Sequence, residues 1–286
     1  MERVGIQTLR GCKSKGEKFV VLAVSDYPFA KLAEEAEIPC LLVGDSIGMT
    51  VYGFPSLLPV TMDLMIPHTS AARKGAPNAF LIGDLPFLTY EISAHDAVRN
   101  AGRFMAECGC DAVKLEGGRS RVETVKCIVS ASIPVVGHIG FTPQAMAMSG
   151  GFQPSGQDQE ASLRLVEDAS MLVDSGVCML MLEAVPADVA AIITERSPVP
   201  VIGFGSGPEV HGQILLLHDL IGMFEAFTGK FAKRYLEMGE SVTGAMARFK
   251  EEVKVGEFPK SEHYGSMPDG EAQKLRSTLA GKASLP

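Results

Sequence analysis

A chain of 286 residues with 46% hydrophobic content carries enough apolar material for one large α/β domain or two ordinary ones. Its formal charge of -8 and the lack of a Lys/Arg-rich run exclude a nucleic-acid or anionic-membrane surface, because both need clustered positive charge. The expected partners are small molecules and other copies of the chain.

No stretch approaches the roughly 18 consecutive apolar residues of a membrane span, and the opening "MERVGIQTLRGCKSKGEK" lacks the apolar centre of a secretory signal, so a cytoplasmic protein is expected. The six cysteines (Cys12, Cys40, Cys108, Cys110, Cys127 and Cys178) contain no C-x-x-C pair. Neither a zinc cage nor a disulfide framework is indicated, and buried reduced thiols are expected.

Short apolar runs and helical patterns alternate along the chain. "FVVLAV" (19–24) leads into "YPFAKLAEEAE", "CLLVG" (40–44) into "TMDLMIPHTSAARKG", and "FLIGD" (80–84) into "SAHDAVRNAGRFMAECG". "DAVKLEG" (111–117) is followed by "SRVETVKCIVSAS", "IPVVGHIG" (133–140) by "QEASLRLVEDASMLVDSG", and "CMLMLE" (178–183) by "PADVAAIITERS". After "VPVIGFG" (199–205) the segment "GSGPEVHGQ" is too short for a full helix, and "ILLLHD" (214–219) precedes a long helical stretch from about Thr228 to Val253.

Most of these runs lack polar/apolar alternation, as strands buried on both faces do, and such strands belong to parallel sheets covered by helices. The helical segments open with Ser, Thr, Asp or Pro, as N-termini should. Eight strands alternating with helices outline a (β/α)8 TIM barrel, where a doubly wound open sheet would more usually show five to seven. One barrel domain with an N-terminal helix is expected over 1–258. From Gly256 the chain is rich in Gly, Pro, Ser and charge without periodicity, so 259–286 reads as a tail whose last twenty or so residues are mobile.

Barrel enzymes carry their chemistry at the C-terminal ends of the strands. The apolar runs end at Ser25-Asp26, Asp45-Ser46, Asp84, Lys114 and Glu116, His138, Glu183 and His218-Asp219. Any single acid here reads equally well as a helix cap or a salt-bridge partner. As a set they would repel one another unless a cation sat among them. Asp45, Asp84 and Glu116 offer hard oxygen ligands with neither thiolates nor a histidine pair beside them, which favours Mg2+ over Zn2+.

Lys114 and Glu116 are two apart in a strand, so both side chains face the barrel interior. Lys114 can neutralise a substrate carboxylate or enolate there; the competing role, a Schiff base, needs a depressed pKa that carboxylate neighbours oppose. Glu183 ends the apolar "MLMLEAVP", a setting expected to lift its carboxyl toward neutrality, and is the candidate general base. His138 lies in "GHIG", where glycines let backbone approach a ligand; a structural hydrogen bond is the equal alternative, and a supporting role is expected at most. The Gly-rich "GFGSGPEVHGQ" is a weak candidate phosphate cradle without a dinucleotide or Walker fingerprint.

The series "LLVGDSIGMTVYG", "LIGDLPFLTY", "DAVKLEGG", "PVVGHIGFTPQ", "LEAVP" and "HGQILLLHDLIG", in this order and spacing, resembles the ketopantoate hydroxymethyltransferase (3-methyl-2-oxobutanoate hydroxymethyltransferase) family from about Phe19 to Phe258. The resemblance implies a barrel of the phosphoenolpyruvate mutase/isocitrate lyase type, a Mg2+ ion, a folate one-carbon donor and a homodecamer. It implies that Asp45, Asp84 and Glu116 are metal-site acids, that Asp45, Ser46, Asp84 and Lys114 hold the oxo acid, and that Glu183 is the proton acceptor. The implied reaction removes the C3 proton of 3-methyl-2-oxobutanoate and joins that carbon to the methylene of 5,10-methylenetetrahydrofolate, giving 2-dehydropantoate in pantothenate biosynthesis.

Ser25, Leu57, Phe152 and His211 depart from the family pattern, as does Ser206 of "GSG", and all are expected in loops that shape the entrance or the donor pocket. The rival readings are a folate-independent, metal-dependent 2-oxo-acid aldolase or lyase of the same superfamily, and a catalytically silent barrel. The cluster of ionisable residues speaks against the last.

Overall fold

Every apolar run becomes a strand in the computed structural model, which describes residues 1–149, 151, 155–223 and 232–280. The strands are β1 (Phe19–Ala23), β2 (Cys40–Val43), β3 (Phe80–Asp84), β4 (Ala112–Glu116), β5 (Val135–Gly140), β6 (Met179–Glu183), β7 (Val201–Phe204) and β8 (Gly212–Leu216). Neighbours in sequence pair in parallel and β8 returns to β1, closing the barrel.

The chain divides into two compact units, Met1–Leu236 and Glu237–Pro286. In the first, α1 (Ile6–Lys15) precedes β1, and the crossovers carry α2 (Tyr27–Glu35), α3 (Ile47–Thr50), α4 (Met62–Gly75), α5 (Ala94–Cys108), α6 (Val122–Ser130), α7 (Met146–Ser149), α8 (Gln159–Asp174) and α9 (Ala187–Arg196). Helix starts follow from their capping residues: Asp26, Thr61, Ser93 and Asp158 each accept the backbone N–H of the third helical residue, a contact typically worth ~1 kcal/mol over Ala. Asp26 is therefore a cap, and the helix-cap alternative holds for the first strand end.

Side chains of the strands divide by parity. Val21, Ala23, Cys40, Leu42, Phe80, Ile82, Ala112, Val136, Met179, Met181, Ile202 and Ile214 belong to one buried cluster, the alternate positions expected to fill the barrel. The intervening Leu41, Leu81, Val113, Leu115, Val135, Leu180 and Val201 are buried as well, which is why the runs read as continuously apolar. Continuing the inward parity upward brings Asp84, Lys114, Glu116, His138 and Glu183 to the C-terminal end, all buried.

Three boundaries differ from expectation. The eighth strand stops at Leu216, and α10 (Leu217–Leu220) takes His218 and Asp219 into a helical turn. The helix expected from Thr228 begins only at α11 (Met238–Val255); 224–231 lie outside the described residues, and 232–237 are not helical. In the tail, α12 (Glu271–Leu279) forms where periodicity shows none. It is built from good helix formers, including a Glu271–Lys274 ion pair at 2.7 Å, rather than from an apolar stripe.

His211 also departs from expectation. Its Nδ1 accepts the Val201 N–H at 3.1 Å and its carbonyl accepts the Phe19 N–H at 3.1 Å. This places it at the N-terminal end of the barrel, away from any entrance at the opposite end. Burial, helped by the charges of Lys13 and Lys18, pushes its pKa down from 6.5 to about 4. The folded state thus resists a proton that the unfolded chain accepts, so the stabilisation is complete above pH 6.5 and drains away as pH falls toward 4. His211→Asn keeps an acceptor without the titration. The gap in melting temperature between wild type and variant is expected to move against wild type as pH drops through that window, as thermal unfolding at stepped pH would reveal.

Candidate active site

The top layer of the barrel is a linked set of charges. Lys114 Nζ donates to Asp84 Oδ1 at 2.7 Å and lies 3.7 Å from Glu116 Oε1. Asp84 Oδ2 accepts the Asp45 N–H at 3.1 Å, fixing the turn that ends β2. Burial, then the charges of Asp84 and Glu116, raise the Asp45 pKa well above the carboxylate range against the pull of Lys114. Burial alone would lower Lys114, but Asp84, Glu116 and Asp45 outweigh it and hold the ammonium firmly protonated. A charged amine is no Schiff-base nucleophile, so the neutralising role is favoured for Lys114.

His138 joins this set to the proposed base. Its Nδ1 lies 3.6 Å from Glu116 Oε1 and its Nε2 3.2 Å from Glu183 Oε2, while neither nitrogen has an aligned hydrogen bond. The contact is ion pairing: burial opposes the charge, but the two carboxylates prevail and lift the ring from 6.5 to about 9. The same imidazolium, with Lys114, holds Glu116 below its ordinary value despite burial. Glu183 thus has a cation beside it rather than the purely apolar setting expected from "MLMLEAVP".

The glycines of "GHIG" serve the protein rather than a ligand. A Cβ on Gly137 would meet Leu172 at 2.9 Å, and one on Gly140, whose φ is +100°, would meet the Glu183 carbonyl at 2.3 Å. That carbonyl accepts the Phe141 N–H at 2.8 Å, clamping the end of β6. Ala184, next in the chain, has φ 50°, a left-handed conformation costing a non-glycine residue roughly 1–2 kcal/mol. Ser206 Oγ donates to Leu182 O at 2.9 Å and accepts the Val185 N–H at 3.2 Å, so this departure from the family pattern buttresses the strand that carries Glu183. Its hydroxyl is thereby committed within the Gly-rich loop rather than free for a phosphate.

Two residues given no role in the sequence reading complete the site. Gln144 Nε2 donates to Asp45 Oδ2 at 2.8 Å and to Leu85 O at 3.0 Å, and its backbone N–H to Glu116 Oε2 at 3.1 Å. Tyr90 OH donates to Gln144 Oε1 at 2.5 Å and accepts the Glu116 N–H at 3.2 Å. Burial and the Glu116 charge keep this phenol protonated. Both residues sit inside quoted motifs, but a lone amide and a lone phenol in loops carry no chemical pattern of their own.

Asp45, Ser46, Asp84, Lys114, Glu116 and Glu183 line one cavity of about 350 Å³. Leu57 also lines it, as an entrance residue should; Ser25 is buried with its carbonyl against His68 Nδ1, and Phe152 lies outside the described residues. Among the described residues no three His, Cys, Asp or Glu side chains are gathered to hold a metal unaided. Part of the cation expected among the acids is supplied by Lys114 and His138. The donors nevertheless fit Mg2+, a hard ion that takes one or two carboxylates and fills its remaining positions with water and substrate. The crowding that raises Asp45 is the strain such an ion would relieve.

A closed parallel barrel with buried acids and a lysine facing a cavity at its C-terminal mouth defines a barrel enzyme acting on a small polar substrate. The ketopantoate hydroxymethyltransferase family model matches residues 3–261, and the chain belongs to that family. It is 47% identical over 261 residues to the 3-methyl-2-oxobutanoate hydroxymethyltransferase of Moorella thermoacetica, covering 91% of this chain and 97% of the relative. It is likewise 47% identical over 263 residues to that of Syntrophomonas wolfei, covering 92% and 95%. Its activity is hydroxymethyl transfer to 3-methyl-2-oxobutanoate, a step of pantothenate biosynthesis.

Solved structures of similar fold include a phosphonopyruvate hydrolase, with TM-score 0.60 and 14% identity over 98% of this chain and 99% of that one. A 2,3-dimethylmalate lyase of the phosphoenolpyruvate mutase/isocitrate lyase superfamily has TM-score 0.58 and 16% identity over 97% and 100%. These likenesses show the same (β/α)8 barrel fold that the strand pattern predicts.

The Tyr90–Gln144 clasp is testable. Tyr90→Phe strands a buried amide oxygen and the Glu116 N–H, an expected loss of ~1–3 kcal/mol in denaturant unfolding. Loosening Asp45 and Glu116 should also lower turnover roughly 10–100-fold, the usual effect of removing a ligand's support. Gln144→Ala should do at least as much, and wild-type values in both assays would mean the clasp positions nothing.

Proposed function

We propose that the chain transfers the methylene carbon of 5,10-methylenetetrahydrofolate to C3 of 3-methyl-2-oxobutanoate with Mg2+ at the acid cluster. The observation that carries this reading is Glu183 facing, across one cavity, a buried Lys114 set among Asp45, Asp84 and Glu116. A similar fold has been solved as phosphonopyruvate hydrolase with oxalate and Mg++, which supports a divalent ion and a small oxo-acid-like anion as ligands here.

Asp45, Asp84 and Glu116 would hold the ion. When bound it supplies positive charge to the oxo-acid oxygens, on which negative charge develops as the C3 proton leaves. Lys114 neutralises the substrate carboxylate, and Ser46 offers a hydroxyl beside Asp45. Glu183 takes the C3 proton, and His138 holds its carboxylate in place by ion pairing. The apolar flank, including Met181 and Phe204, suits the two methyl groups and limits water.

Atom balance assigns the new hydroxyl oxygen to water, because neither the oxo acid nor the methylene donor brings it. The proton held on Glu183 then returns to the alkoxide formed at the transferred carbon. The folate-independent aldolase reading differs in taking a free aldehyde in place of the folate.

No helix of the described residues is long and apolar enough to cross a membrane, and the proposed setting is the cytoplasm. Self-association into the family's decamer is part of the reading: α11 buries no residue, and exposed Met246, Phe249 and Val253 fall at helical spacing along it.

Proton NMR of 3-methyl-2-oxobutanoate in D2O should show the C3 signal disappearing with enzyme and Mg2+, exchange stopping with EDTA, and 2-dehydropantoate forming only when the folate is added. Glu183→Gln should slow exchange by about 100-fold or more, while Asp84→Ala should abolish metal-dependent binding of the oxo acid. Product from free formaldehyde but none from the folate would favour the aldolase, and no exchange under any condition would end the reading.

A further inference from the structure

Asp219 stands apart from the acids so far assigned. It follows β8, is 4% exposed, lines the same cavity, and its buried Oδ1 has no hydrogen-bond partner. In a closed ring of eight strands β8 lies opposite β4, so Asp219 faces the cavity from the side away from Lys114 and Glu116. The cavity-lining residues of β1, β7 and β8 are apolar: Ala23, Phe204, Ile214 and Leu216. A carboxyl oxygen kept out of water without a hydrogen bond costs stability, and a cavity wall is where a ligand can repay it.

The transfer chemistry calls for a second proton handler. Glu183 must begin as a carboxylate to accept the C3 proton, so it cannot also protonate the donor. Opening the donor requires a proton on one nitrogen of its N–CH2–N unit, since an unprotonated amine nitrogen would have to leave as a high-energy anion. Of the titratable groups lining the cavity, Asp84 is bonded to Lys114, Asp45 to Gln144, and Glu116 to the Gln144 N–H. Of these lining groups, Asp219 alone has a buried oxygen with no hydrogen-bond partner.

We propose that Asp219 is the acid that opens the one-carbon donor by protonating its departing nitrogen. The proposal rests on the folate reading above. The Asp219 O–H bond breaks and an N–H bond forms. The C–N electron pair leaves with that nitrogen while the second nitrogen's lone pair makes a C=N+ bond. Water adds to the iminium carbon and its proton returns to the Asp219 carboxylate. The hydroxymethyl amine then collapses to formaldehyde and the free second amine, its hydroxyl proton moving to nitrogen. The C3 carbanion attacks formaldehyde, and Glu183 returns its proton to the alkoxide. Burial also lifts the Asp219 pKa to about 6 against the opposing charge of Arg234, which makes the protonated form accessible near neutrality.

The test compares two donors with the full-length enzyme and Mg2+. Asp219→Asn should cut transfer from 5,10-methylenetetrahydrofolate by about 100-fold or more, while C3 exchange in D2O without donor continues at the wild-type rate. Formaldehyde in place of the folate needs no nitrogen protonated, so the variant should form 2-dehydropantoate from it as fast as wild type does. Asp219→Glu, which keeps an acid, should recover part of the folate-dependent rate. Near-normal folate-dependent transfer in Asp219→Asn, or equal losses with both donors, would overturn the assignment. Exchange doubles as the folding control: if the amide variant lacks it, Asp219→Ser is read instead, and loss of exchange in both overturns the proposal. A wild-type enzyme that gives no folate-dependent product would instead defeat the parent reading.

Discussion

The ion pair between Lys114 and Asp84, sealed in the top layer of the barrel, is the constraint around which the site is arranged. A buried charge is tolerated only when paired and hydrogen-bonded, and here one ammonium serves Asp84 directly and Glu116 at longer range. His138 repeats the device one strand further, between Glu116 and Glu183. Removing either cation would leave carboxylates buried without compensation, so stability and chemistry share the same contacts.

The layer can be this polar because the layers beneath it are not. One inward parity supplies both the apolar filling of the barrel and, at the strand ends, the acids, the lysine and the histidine. Parallel register then sets their neighbours: Asp84 stands opposite Lys114, and Glu116 opposite His138. Glycines at Gly137 and Gly140 admit Leu172 and the Glu183 carbonyl against β5, so the spacing between His138 and Glu183 is set by backbone contact. The rotamers of long side chains need supply only the last ångströms.

That parity is also why so much was legible in sequence. Strands buried on both faces leave continuous apolar runs, and a change to charge at the end of each run marks the mouth. The strand order, the helices and the candidate acids could be read on that basis, and the motif series added the family. What escaped detection acts through partners far away in sequence. Gln144 reaches Asp45 and Tyr90 reaches Gln144, contacts no local period encodes. His138 was ambiguous because its two carboxylates come from the flanking strands. His211 misled in the opposite sense, since it serves the far end of the barrel, while Asp26 follows the helix-cap reading open to it from the start.

Charge counting in the top layer links the structure to its proposed metal. Asp45, Asp84, Glu116 and Glu183 face two cations, Lys114 and His138, and the shortfall concentrates at Asp45, whose carboxyl is driven toward protonation. A proton and a divalent ion are then alternative ways to satisfy the same oxygen, and they compete. The ion has the further property that it leaves coordination positions to an incoming oxo acid, which a proton does not. Gln144 is suited to either state, because its amide donates to an Asp45 oxygen and leaves the carboxylate's other lone pairs available. On this view the acid crowding is a feature retained for ligand binding, held in shape by Tyr90 and Gln144 at a cost in stability that bound metal and substrate offset.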